Sequence, residues 1–152
     1  HVDLLPQQGR HREPRVDVLG DEVHALMVEF EARQREATGD RAADRVDALH
    51  DLGDPVGAAR RILEAMAPDG TFMAVEPRAG DTLEDNMNPV GRLYYAGSTM
   101  ICTPVSLAEE VGLALGGQAG PARLEAVLRE AGFGRVRIAA ETPFNIVIEA
   151  RR

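Results

Sequence analysis

Between a Pro68-Asp69-Gly70 turn and the dipeptide Glu76-Pro77 runs a short segment, Thr71 to Val75, with no polar alternation to mark a solvent face. A strand without a wet side is covered on both faces, the situation of a central parallel strand in an α/β sheet. Proline fixes φ in the preceding turn and glycine is free to take positive φ, so the chain reverses there. Upstream, Asp54 is in place to cap a helix, and Pro55 can hold its first position, where a missing N–H costs nothing. Val56, Ala59, Ile62, Leu63 and Met66 then recur at three- and four-residue intervals, with Arg60, Arg61 and Glu64 on the other side. That is a helix with one buried stripe. Helix, turn and buried strand make half of a crossover unit, and ligands in open α/β sheets bind outside the carboxyl ends of the strands, where Glu76 emerges. His50 and Asp51 lie in the polar loop that leads into the helix.

The chain of 152 residues is long enough for one domain with a real core, and its 44% hydrophobic and 28% charged content is that of a soluble globular protein. A formal net charge of −8 disfavours a nucleic-acid partner, because phosphate binding draws on clustered positive charge. The single Cys102 allows no internal disulfide and lacks the companions of a structural zinc site, which fits a reducing cytoplasm. His1, His11 and His24 share no ligand-like spacing with His50, so no metal site is expected. No apolar run approaches the ~20 residues of a membrane span, and the first residues lack a signal-peptide pattern, so no membrane partner is expected. A start at His1 rather than Met is read as that of a processed or truncated piece.

Residues 1–17 mix Pro, Gly, Gln and Arg without periodicity and read as a leader or irregular segment; the domain proper is expected over 18–152. From Val18 to about Thr38, Leu19, Val23, Leu26, Met27 and Phe30 share one face of an amphipathic helix, either packed on the core or forming a dimer. Gly39 to Val46 reads as a join. Pro77 to Asn88 is a polar excursion whose acids Asp81, Glu84 and Asp85 suit a solvated loop better than a metal cluster. From Pro89 to Ile101 apolar residues return at helical spacing, closed by Thr103-Pro104, and Ser106 with Glu109 has the capping-box spacing for a short helix from Leu107. The glycine cluster Gly112 to Gly120 is expected to be a flexible loop. Pro121 starts a helix with Leu124, Val127, Leu128 and Ala131 inward and Gly132 as its stop. Alternation over Val136–Ala140 and Phe144–Ile148, around Thr142-Pro143, predicts an antiparallel hairpin.

The run Ala48-Leu49-His50-Asp51, the helix after it, the Pro-Asp-Gly turn and Val75-Glu76 together resemble the post-motif half of class I S-adenosylmethionine-dependent methyltransferases. Within them the chain is most similar to O-methyltransferases with a Leu-His-Asp-Trp-type segment. Leu124–Phe133 and Pro143–Arg151 look like that group's last helix and closing strand, so the resemblance covers roughly the final two thirds of the chain. It implies a mostly parallel sheet with flanking helices and a C-terminal antiparallel hairpin, a truncated Rossmann-like α/β domain. It also implies S-adenosylmethionine as cofactor, a small-molecule hydroxyl acceptor, His50 as general base and Glu76 as the group that holds it. Asp47 is the candidate cofactor contact, and Arg92, Tyr94, Tyr95 and Met100 fall where the family walls its acceptor pocket. Leu52 stands where the family has an aromatic residue, no glycine-rich cofactor loop precedes the segment, and the join at Gly39–Val46 has lost about two strands of the family pattern.

Two readings stay open for the key residues. His50 is either a base titrating near neutrality or a helix-terminal residue bonded to backbone, and the tyrosines with Met100 either contact an acceptor or cover a core edge. An inactive remnant that dimerises or binds a partner is the alternative to an enzyme. The catalytic reading requires the imidazole and the Glu76 carboxylate to meet, and to open onto a common hollow.

Overall fold

The computed structural model describes residues 43–46 and 49–152. The segment 1–17, the helix expected over Val18–Thr38 and the candidate cofactor contact Asp47 lie outside the described residues. Ala43–Val46 forms strand β1, so the latter part of the segment read as a join is a regular element that leads toward the His50 turn. Helix α1 spans Pro55–Ala65 and begins as the sequence predicts, with the Asp54 side chain accepting from the Gly57 N–H at 2.8 Å. After the turn, strand β2 (Phe72–Pro77) lies parallel to β1, from Ala43 opposite Phe72 to Val46 opposite Val75. A parallel pair cannot be closed by a hairpin, and α1 is the crossover that joins these two strands.

Helix α2 (Pro89–Gly97) runs through a wide turn of π-helix at Ser98–Cys102 into α3 (Thr103–Leu107). Thr103-Pro104 therefore does not close the helix. Pro104 lacks the N–H of a regular turn and its ring would crowd the preceding carbonyls, and the π turn, in which the Thr103 N–H reaches back to the Ser98 carbonyl, widens the helix where that strain falls. Helix α4 (Pro121–Ala131) ends on Gly132, whose φ of 110° is left-handed and open to glycine at little cost. Strands β3 (Arg135–Glu141) and β4 (Asn145–Arg151) form the expected antiparallel hairpin, with an irregularity between Ile138 and Ala140.

Among the described residues the sheet order is β1-β2-β4-β3, with one parallel ladder and two antiparallel ones. Its two central strands, β2 and β4, are buried along nearly their whole length, which is why β2 shows no wet face in the sequence, while the alternation in β4 does not mark a solvent face. Phe72 and Ala74 of β2 join Ile146, Ile148 and Ala150 of β4 in one core under α1 and α4, with Leu124, Val127, Leu128 and Phe133 closing it. Phe72 and Phe133 meet with ring centroids 5.7 Å apart. Met73, Val75 and Val147 are buried on the opposite face. The period of two in β2 puts Glu76 on the same side as Phe72 and Ala74.

Ser106 does not cap a helix from Leu107. It is fully buried in the last turn of α3, where its hydroxyl donates to the Leu52 carbonyl at 2.9 Å and accepts from the Ala114 N–H at 3.0 Å. The loop after it is also not loose. The Leu113 N–H bonds the Gly53 carbonyl at 2.9 Å, the Gly116 N–H bonds the His50 carbonyl at 3.2 Å, and the Gly117 N–H bonds Ser98 Oγ at 2.6 Å. Small residues let this backbone come close, and Gly116 takes a φ of 69° that a side chain would strain. Ser106→Ala strands a part-buried donor, the Ala114 N–H, and a part-buried acceptor, the Leu52 carbonyl, at once, and is expected to cost about 1–3 kcal/mol. The reading is a lowered midpoint of chemical unfolding at unchanged slope; an unmoved midpoint would mean the hydroxyl holds nothing.

Candidate active site

Leu49–Asp51 form one turn of 3-10 helix, with Leu49 and His50 buried. Such a turn leaves backbone N–H groups at its start without partners of its own, and Glu76 supplies them from the end of β2. Its Oε1 accepts from the Leu49 N–H at 2.8 Å, and its Oε2 accepts from the His50 N–H at 3.3 Å. The same Oε2 lies 2.7 Å from His50 Nδ1. The Glu76 side chain is 0% exposed, so these three donors replace the water a buried carboxylate would otherwise miss. A carboxylate only accepts, so Nδ1 carries a proton, and whenever the ring is neutral Nε2 is its basic nitrogen. The imidazole is thus held in one tautomer and one orientation, the task a carboxylate performs behind a catalytic histidine.

The imidazole and the Glu76 carboxylate meet, as the catalytic reading requires. The hollow is another matter. His50's side chain is only 6% exposed, and it lines neither of two clefts, of about 360 Å³ and 220 Å³, that lie at α4 and the hairpin. Nε2 faces Asp51, whose Oδ1 is 3.2 Å away on a side chain 42% exposed. Cys102, at the end of the π turn, brings its thiol to the same place: one ligand atom each from His50, Asp51 and Cys102 lie within 4.8 Å of one another. Burial raises the Cys102 thiol above its ordinary pKa, the adjoining Asp51 carboxylate adds to this, and Ser98 pulls the other way. This convergence is the part of the site that sequence reasoning missed. Fifty-one positions separate Asp51 from Cys102, and no local periodicity links a 3-10 turn to a π turn.

The other candidates scatter. Arg92 and Met100 are exposed, Met100 at 78%. Tyr94 is half-buried and its hydroxyl donates to the Phe144 carbonyl, which ties α2 to the hairpin turn. Tyr95 is half-buried, and its carbonyl accepts from the Thr99 hydroxyl at 2.7 Å. Asp81 caps α4 by accepting from the Ala122 N–H at 2.8 Å, while Asp85 takes the Thr82 hydroxyl at 2.7 Å, so both acids serve their loop.

At the level of sequence, no family model and no curated protein matches. At the level of structure, the chain is similar to PigF with SAH, at a TM-score of 0.52 and 19% identity over 73% of this chain. It is similar also to human N-acetylserotonin methyltransferase in complex with SAM, at a TM-score of 0.51 and 21% identity over 73% of this chain. This is part of a methyltransferase fold. An O-methyltransferase family protein from Burkholderia thailandensis aligns over 77% of this chain at a TM-score of 0.49 and 17% identity. The chain spans 30% of the length of PigF and 29% of the human enzyme, so the methyltransferase fold is represented here by one portion. Within that portion helices α1 and α4 and the terminal hairpin are those the resemblance implied.

Proposed function

We propose that this chain carries the proton-abstracting part of an S-adenosylmethionine-dependent methyltransferase that acts on a hydroxyl group of a small molecule. The observation that supports this best is the buried pair His50 Nδ1 to Glu76 Oε2 at 2.7 Å, because it presets Nε2 as a base on a rigid turn. S-adenosylmethionine, named in complex with the human enzyme of like fold, supplies a methyl group on a sulfonium, which an oxygen nucleophile displaces in line. With that donor bound, this chain's part would be to take the acceptor's hydroxyl proton on His50 Nε2 as the oxygen gains the methyl group and the donor departs as a neutral thioether. Glu76 keeps the ring in place and offsets the positive charge it gains. Asp51 is the half-exposed neighbour of Nε2, and it must swing outward for the acceptor to enter.

A second reading has its own observation. Leu93, Met100, Ile101 and Val105 expose 50–78% of their surface along α2, the π turn and α3, which suits a methyltransferase-derived module that binds a partner or a second copy. Calorimetric titration with S-adenosylmethionine separates the two. Saturable heat at one site per chain supports the enzyme, and its absence at high ligand concentration leaves the binding module alone.

A further inference from the structure

We propose that His50, Asp51 and Cys102 form a site for one thiophilic divalent cation, of which zinc is the natural example. Three lines of geometry meet there. First, the ligand set is mixed nitrogen, oxygen and sulfur, one atom from each residue, all within 4.8 Å of one another. Tetrahedral zinc with bonds of about 2.0–2.3 Å places its ligands roughly 3.3–3.7 Å apart, so the 3.2 Å from Nε2 to Asp51 Oδ1 already fits, and the thiol lies within 4.8 Å of both. Second, Asp51 Oδ1 is a buried oxygen that lies 3.2 Å from Nε2 without a well-formed hydrogen bond, and a cation shared between the two atoms satisfies both. Third, Glu76 holds Nδ1 at 2.7 Å, and a carboxylate behind a histidine in this way orients the ring and raises the donor strength of its other nitrogen, the usual setting of a metal-binding imidazole.

The π turn is what completes the set. An added residue at Ser98–Cys102 changes the angular position of Cys102 on the helix, and such turns recur where a helix must deliver a side chain to a site. Three protein ligands leave a fourth position for water, the open kind of zinc site. Metal bound on Nε2 occupies the lone pair that proton abstraction needs, so occupancy and base catalysis exclude each other. The binding site itself does not rest on the methyltransferase reading.

Cobalt(II) titration of the purified chain tests it, because Cys102 is the single thiol and any thiolate-to-metal charge-transfer absorption must come from it. The expected result is that absorption at one cobalt per chain, displaced by zinc. Asp51→Asn is the decisive variant, since its half-exposed side chain can change without unfolding the turn, and it should weaken zinc at least about tenfold. His50→Gln, checked for fold by circular dichroism, should do the same. Cobalt bound only through other histidines gives no charge-transfer absorption and overturns the site. So does a zinc affinity unmoved by Asp51→Asn, which would leave a His50–Asp51 ion pair only. S-adenosylmethionine appears nowhere in this measurement, so a failed cofactor titration and a failed metal titration are separate results.

Discussion

Glu76→Leu is expected to destabilise the chain by about 3–5 kcal/mol, because it removes the acceptor from three buried donors while leaving those donors buried. The lost contacts are the Leu49 N–H, the His50 N–H and His50 Nδ1. Domains of 150–250 residues lose roughly 2–4 °C per kcal/mol, so the melting temperature should fall by roughly 6–20 °C. Leucine fits the volume, which makes the comparison one of polarity. Glu76→Gln keeps an acceptor oxygen and should cost less, about 1–3 kcal/mol. If Glu76→Leu melts with the parent chain, the carboxylate is not what holds the His50 turn to β2, and the tautomer argument goes with it.

His50→Ala, in a complete enzyme containing this segment, should lower the rate of methyl transfer by about 10²–10⁴-fold, the range a positioned general base supplies. Affinity for S-adenosylmethionine should stay the same. The two effects separate because the backbone of the turn is tied independently of the ring: the His50 N–H goes to Glu76 and its carbonyl accepts from Gly116. Removing the imidazole therefore removes the base and leaves the scaffold. Turnover and cofactor affinity falling by the same factor would assign His50 a structural role instead.

Much of this architecture was legible because the signals that encode it are local. Asp54-Pro55 starts α1, the three- and four-residue spacing of its apolar stripe orients it, and the absence of alternation in Thr71–Val75 marks a strand covered on both faces. Pro121 and Gly132 bracket α4 in the same way. Glu76 was legible too, since position at the carboxyl end of a central strand is a fold-level rule. What failed was reasoning across an irregularity. Thr103-Pro104 reads as a helix stop, yet the π turn ahead of it, which brings in Cys102, absorbs the proline, and the helix goes on far enough to bury Ser106. The glycine cluster reads as slack chain, yet the same lack of side chains lets its backbone bond the His50 turn directly. In both places composition told what the backbone can do, and only the neighbouring elements decide which of those things it does.

The sheet's strand order has a cost in time. β4, the latest of the four strands to be synthesised, is the one wedged between β2 and β3, and its partner residues on β2 lie some seventy positions earlier, as with Val75 and Val147. Until Asn145–Arg151 has left the ribosome, β2 must wait with an unpaired edge of Phe, Met and Val, a ready template for another nascent copy. Pairing among the described strands thus closes in the middle of the sheet, and shielding of that β2 edge until β4 arrives guards against pairing with another copy.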